Sequence, residues 1–414
     1  MIKVLIVNKI DAEGGAARAA YRLHKSLLGA GGIDSQMLVQ KKTSDDYTVT
    51  GPQTIFEKLF AYLSPHIDRI PVRLYKRRKT MVFFPSWFSV SGIVDKINEI
   101  NPDIVHFHWI AGGMLRIEDL VKIKKPIVWS LHDMSPFTGG CHYDDHCGRY
   151  TSTCGSCPAL GSMKKNDLSH RIFSRKKKVY DAVGGQLTFV GLSRWISECA
   201  FQSTLIGSKR IVNLPNPIDS ERFRPIAKLT AKSLLGIPAE KKIMLFGALK
   251  VTDDTRKGYR EMVEACKGLK QIDVELIVFG SSTPKDAPDF GLPVHYLGRL
   301  HDDLALQIVY SAADVMVVPS LQENLSNVIM ESLSCGTPVV AFNIGGNSDM
   351  VVHRKNGYLA RAYDPGDLAH GIEWVLNNPE YENLSQNARG KVLQDFDSRI
   401  VVQKYIELYE RLLR

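Results

Sequence analysis

The sequence predicts an α/β protein built as two Rossmann-like domains, each a doubly wound parallel sheet, and three observations point there. Short continuous apolar runs alternate with stretches long enough for helices, the alternation starts twice, and a proline-rich segment separates the two series. At 414 residues the chain has room for two or three domains of roughly 100–200 residues each.

In the first series IKVLIVN reads as a buried parallel strand, and AEGGAARAAYRLHKSLL as a glycine turn opening a helix. Ala16, Ala20, Leu23 and Leu27 recur on one face of that helix, with Arg18, Arg22 and Lys25 off the stripe. SQMLVQ, PDIVHFHW, PIVWSLH and QLTFVGLS supply the next strands. The second series is KKIMLFGA, VELIVFG, VHYLG, ADVMVVPS and TPVVAF. Between them, Pro215, Pro217 and Pro225 resist both helix and central strand, so the linker falls in Leu214–Pro225. The expected domains are 1–215 and 216–396, and the expected ligand site is a crevice outside the strand C-termini.

A content of 44% hydrophobic and 23% charged residues excludes a disordered chain. No apolar run approaches the roughly 18 residues of a membrane span, and Lys3, Lys9 and Asp11 break the N-terminal run, so a cytoplasmic protein without a secretory signal is expected. The net charge of +9 is unevenly spread: residues 1–215 carry 30 Lys+Arg against 18 Asp+Glu, and the remainder 23 against 26. The first half thus holds a +12 excess suited to an anionic partner. Two basic runs lie there, Lys76–Lys79, followed by the aromatic segment MVFFPSWF, and Arg175–Lys178. They read equally as a contact with an anionic membrane surface, which would make the protein peripheral, or as solvated faces. No recognised motif supports nucleic acid.

GxGxxG and GxxxxGK[ST] are both absent, which removes the dehydrogenase and P-loop readings. The DxD of Asp395 and Asp397 precedes a long helical pattern and reads as a solvated helix start. The densest signal is PSLQENLSNVIMESLSCGTPVVAF, where Glu323 sits after a buried strand and Glu331 eight residues later on the next helix. A helix start at Asn324–Asn327 offers backbone N–H groups to an anion or sugar oxygen, and Glu331 can accept from a vicinal diol. Arg256 and Lys257, before Gly258, are cations suited to a diphosphate. Cys141, Cys147, Cys154 and Cys157 lie within 17 residues and are a candidate structural zinc set, with disulfides or free thiols as alternatives. His106 and His108 read as structural, and His132, ending a strand beside Asp133, as functional.

Together the Gly14-Gly15 loop, PDIVHFHW, LHDMSPFTGGCHY, PNPIDSERFRP, RKG, HYLGRL, ADVMVVPS, the E-x7-E segment with CGTPVVAF, and NGYLA resemble the retaining GT-B glycosyltransferases of family four, the glycosyltransferase group 1 enzymes. The resemblance spans nearly the whole chain. It implies a nucleotide-diphosphate sugar donor, a UDP-sugar by preference, transfer of a hexose-type sugar to a glycan or lipid-linked acceptor, and no cofactor for catalysis. It implies that Glu323 and the backbone of Asn324, Leu325 and Ser326 hold the sugar, that Glu331 binds the ribose, and that Lys257, with Arg256, neutralises the diphosphate. Gly15 would admit the phosphate, His132 would lie near the sugar, and Arg299 and Leu300 would face the base. Residues 397–414 resemble the family's last helix, which returns to the N-terminal domain. One departure is Ala248, where many relatives carry a second diphosphate-binding arginine, with Lys250 or Arg256 as the substitute. That departure keeps open a non-catalytic nucleotide-sugar-binding subunit, and the shared fold keeps open an epimerase or phosphorylase.

Overall fold

The computed structural model describes residues 1–89, 92–247, 254–269, 273–280 and 287–414. It divides into two compact units, Met1–Pro217 with Val401–Arg414, and Ile218–Ile400.

Unit one holds strands β1 (Ile2–Ile10), β2 (Ile33–Lys41), β3 (Val49–Thr50), β4 (Ile104–Phe107), β5 (Ile127–Leu131), β6 (Leu187–Gly191) and β7 (Arg210–Asn213). Among the described residues they form one parallel sheet in the order β3-β2-β1-β4-β5-β6-β7. β4, β5 and β6 are buried along their whole length, which is why their sequences are continuous apolar runs and do not alternate. Helix Gly15–Gly29 covers β1 and β2 with Ala20, Leu23 and Leu27, all fully buried.

Unit two repeats the plan with β8 (Lys242–Gly247), β9 (Val274–Phe279), β10 (Val294–Gly298), β11 (Val315–Val318), β12 (Val339–Phe342) and β13 (Gly357–Ala360). Its parallel order is β10-β9-β8-β11-β12-β13, so the strand order reverses between β8 and β11. That switch point is where a doubly wound sheet opens a crevice for ligand. The core there joins Phe246, Val278, Val317 and Phe342.

Near the boundary, Ile218 pairs with the segment before the last helix: its N–H donates to Phe396 O at 2.9 Å, and its carbonyl accepts from Ser398 N at 2.9 Å. The last helix, Ser398–Leu413, ties to unit one through the Tyr409 hydroxyl, 2.7 Å from Nδ1 of buried His106. The DxD is a helix start, Asp397 preceding helix Ser398–Leu413 and accepting from Arg399 N at 2.8 Å, but this aspartate is not solvated. Asp397 is buried, with its carboxylate held by the Ser220 hydroxyl and by Arg399 Nε and Nη2 at 2.8 and 2.9 Å.

Candidate functional site

In unit two the loops after β8 and β11 meet at the switch point. Arg256, Lys257 and Gly258 lie in a short 3-10 turn, Thr255–Lys257, and its C-terminal glycine. Leu321 N donates to Arg256 O at 2.7 Å, clipping this turn to the segment after β11. The clip is tight: at Gly258, φ is +69°, and an added Cβ would lie 1.7 Å from Pro319 O. Only glycine fits both the angle and the contact. Lys257 Nζ then donates to Glu323 Oε2 at 2.8 Å, an ion pair with the lysine side chain 34% exposed and the glutamate 13%.

Glu323 is held from the other side by Gly345, φ +50°, whose added Cβ would lie 1.8 Å from Glu323 O. Asn324, Leu325 and Ser326 are buried and lead into helix Asn327–Ser334, whose N-cap Ser326 makes no side-chain capping bond. Two turns along, Glu331 is buried and accepts from the Tyr310 hydroxyl at 2.8 Å. Arg256 turns toward Asp254, with Nε and Nη2 at 2.9 and 2.8 Å from its two oxygens. Burial pushes the Asp254 carboxyl up, but the bonds from Arg256 outweigh it and the net direction is down. Arg299 is exposed and Leu300 half-buried beyond β10. Ala248 and Lys250 lie outside the described residues.

In unit one, Gly15 opens helix Gly15–Gly29 directly after the β1 loop, and it is Gly14 that takes the positive φ, +96°. His132 directly follows β5, its Nε2 2.8 Å from His108 Nδ1, while His106 stacks on His108 with ring centroids 4.6 Å apart. Burial lowers His132 to about 4 and His106 to about 3, so these rings are neutral near pH 7. His108 Nε2 is buried without a hydrogen-bond partner among the described residues. The next residue, Asp133, is fully enclosed and accepts from Ser135 N at 2.7 Å and Trp109 Nε1 at 2.9 Å, with His142 Nδ1 also at 2.9 Å. Burial raises its pKa, but His142 and the Ser135 bonds bring it down to about 2. The Asp133–His142 pair is a residue set that sequence reading missed. The signal for it was an aspartate directly after a strand-end histidine, in a loop rich enough in glycine to fold back on that strand.

The four clustered cysteines are not brought together as a metal-ligand group: among the described residues no three His, Cys, Asp or Glu side chains are so placed. Packing divides them. Cys141 and Cys157 join the core of Val72, Phe83 and Leu160, Cys154 joins the main core of the sheet, and Cys147 is half-buried, all as free thiols. Burial raises every one of the four, Cys154 to about 12.

Residues 232–391 match the family described as "Glycosyl transferases group 1". Over these residues the chain is similar to the group 1 glycosyltransferases. The chain is 25% identical over 444 residues to the glycosyl transferase WcaC of Escherichia coli (strain K12), a protein named for colanic acid biosynthesis, with 99% of this chain and 100% of that one covered. It is 28% identical over 215 residues to the D-inositol 3-phosphate glycosyltransferase of Saccharomonospora viridis, a match covering 47% of this chain and 49% of that relative. Its fold is that of sucrose-phosphate synthase from Thermosynechococcus elongatus, at TM-score 0.69 and 19% identity over 100% and 99% of the two chains. It is also that of Anabaena HepE, solved in complex with UDP and glucose, at TM-score 0.65 and 17% identity over 99% and 100%. The fold is therefore GT-B, with the family match falling in the unit that carries Lys257, Glu323 and Glu331.

Proposed function

We propose that the chain is a retaining hexosyltransferase that takes its sugar from a nucleotide-diphosphate sugar, a UDP-sugar by preference, and delivers it to a glycan or lipid-linked acceptor in polysaccharide or glycoconjugate synthesis. The observation that carries this reading is the Lys257–Glu323 pair at the β8/β11 switch point, 2.8 Å apart and next to the start of helix Asn327–Ser334. The cation suits a leaving diphosphate and the carboxylate suits sugar hydroxyls. HepE's complex with UDP and glucose and WcaC's name in colanic acid biosynthesis favour the same donor and product classes.

In this reading Glu331 accepts from the ribose hydroxyls while Tyr310 fixes its carboxylate. Glu323 and the backbone at Asn324–Ser326 hold the transferred sugar. The acceptor oxygen attacks the anomeric carbon from the leaving-group side. As that bond forms, the bond from the anomeric carbon to the diphosphate oxygen breaks and its electron pair stays on the diphosphate. A diphosphate oxygen takes the acceptor's proton, and configuration is retained. Lys257 meets the developing charge, which is why one placed cation matters more than the acidic balance of this half. Arg256 is already engaged by Asp254, so its contribution is secondary.

Thermal melting with UDP, GDP and ADP tests the donor class. A ligand at a hundred times its Kd adds about 2.7 kcal/mol to stability. UDP is expected to raise Tm more than the other two; no shift with any of the three contradicts the reading.

A further inference from the structure

Helix Ile55–Asp68 is built inside out. Its two buried side chains are polar, Ser64 and Asp68, while Ile55 is 82% exposed, Phe56 73% and Tyr62 70%, with Leu59 and Leu63 also exposed. These five fall at positions i, i+1, i+4, i+7 and i+8, one continuous stripe at the helical repeat. Ile70 and Leu74, 76% exposed, extend the apolar surface past the helix end. A soluble helix normally turns such a stripe to the core, and an exposed apolar patch of this extent marks an interaction surface.

The charge around the stripe says what covers it. Residues 55–79 hold seven Lys and Arg against two acids, and neither acid faces the patch as an open charge. Glu57 is paired with Lys96 at 2.7 Å and closes the capping box with Thr54, and Asp68 is buried, receiving Trp87 N at 3.1 Å. Lys58, Arg73, Lys76, Arg77 and Lys79 are exposed along the rim. Of the aromatic segment that follows, Phe83 and Phe84 are core residues, while Trp87, 40% exposed, donates through N and Nε1 to Asp68 of the helix. In the second basic run, Lys176 is buried against the Ser135 and Thr138 carbonyls and Arg175 is paired with Glu118 at 2.6 Å, while Lys177 and Lys178 are exposed.

We infer that the surface formed by Ile55, Phe56, Leu59, Tyr62, Leu63 and Leu74 docks on an anionic lipid bilayer, with the apolar stripe in the interface and the basic rim on the headgroups. A stripe with a cationic border is the form in which a helix lies in a bilayer surface, and anionic lipid complements the border. A second copy of the chain would set one basic rim against another. This deepens the reading of the acceptor as lipid-linked, on which its biological purpose rests, because docking would place the enzyme at the surface that presents such an acceptor.

Vesicle flotation of the full chain, without any nucleotide sugar, tests it. The protein is expected to float with vesicles of phosphatidylcholine containing a quarter phosphatidylglycerol, much less with phosphatidylcholine alone, and less at high salt. The double variant Phe56→Asp, Leu59→Asp, with both side chains exposed, is expected to lose at least about tenfold in partitioning with its melting temperature kept. Wild type that stays with the pellet, or a double variant that floats as wild type does, overturns the inference. So does a dimer in sedimentation that the double variant converts to monomer, since a second copy then covers the stripe. Because no donor is present, failure here leaves the donor site standing, and failure of nucleotide binding leaves this surface standing.

Discussion

Replacing Lys257 by Ala removes the cation from the switch point and leaves Glu323 without its ion-pair partner. The two charges are 2.8 Å apart, with Glu323 largely buried and Lys257 about one-third exposed. A hydrogen bond to a charged group contributes about 1.5–3 kcal/mol, and the partial exposure of Lys257 places its bond to a diphosphate in the lower half of that range. The expected loss of about 1.5–2 kcal/mol is a Kd about 10–30 times weaker. It should fall on the diphosphate alone, so titration calorimetry is expected to show UDP weakened by this factor and uridine unchanged. Glu323→Gln is expected to do the reverse, leaving UDP no weaker while weakening UDP-glucose, because that carboxylate is assigned to sugar hydroxyls. Equal loss of UDP and uridine in the Lys257 variant, or no loss of UDP, would refute the placement of the diphosphate.

Three further outcomes can be checked by standard measurements. Gly258→Ala must fit a Cβ 1.7 Å from Pro319 O at φ +69°, and is expected to cost about 2 kcal/mol or more, read as a lower Tm together with weaker UDP binding. An unchanged Tm would contradict the clip between the two loops. Burial lowers His24 to about 4, despite the opposing pull of Asp46, and lowers His132 to about 4. A folded pKa below the unfolded value means that stability is complete above about pH 6.5 and is lost as pH falls toward about 4, by up to about 3 kcal/mol per ring. Urea midpoints are expected to fall through that window, and a flat profile would contradict the neutral, enclosed rings. Cys147 and Cys199, the two half-buried thiols, are expected to react with a disulfide reagent in the native chain, and all seven only after unfolding. Stoichiometric zinc in protein purified without chelator would contradict the free-thiol structure.

The sequence was most legible where burial acts on both faces of a strand. β1, β4, β5, β6, β8, β9, β11 and β12 all lie within apolar runs visible in the chain, because a parallel strand under helices has no solvent face to mark with polar residues. β3, of two residues, and β7, exposed at both ends, carry too little of that signal to be seen. The same distance from local pattern explains the site. Lys257 and Glu323 were visible as residue types, but their contact depends on two glycines, Gly258 and Gly345, pressed against carbonyls of distant segments. The engagement of Arg256 by Asp254 and the burial of Asp397 are tertiary facts with no local mark, as is the packing of Cys141 and Cys157 in one core and Cys154 in another. The inverted helix Ile55–Asp68 has a stripe that spacing shows, but spacing cannot say which way a stripe faces.

The central claim is sugar transfer from a nucleotide sugar, and turnover tests it most directly. The full chain would be incubated with UDP-glucose and a lipid extract as acceptor source, and the free UDP and the anomeric configuration of the product followed together. The account predicts UDP release that depends on the extract, a product of the donor's own configuration, and a large loss of rate in Lys257→Ala. Release unchanged by Lys257→Ala, or a product of inverted configuration, would contradict it.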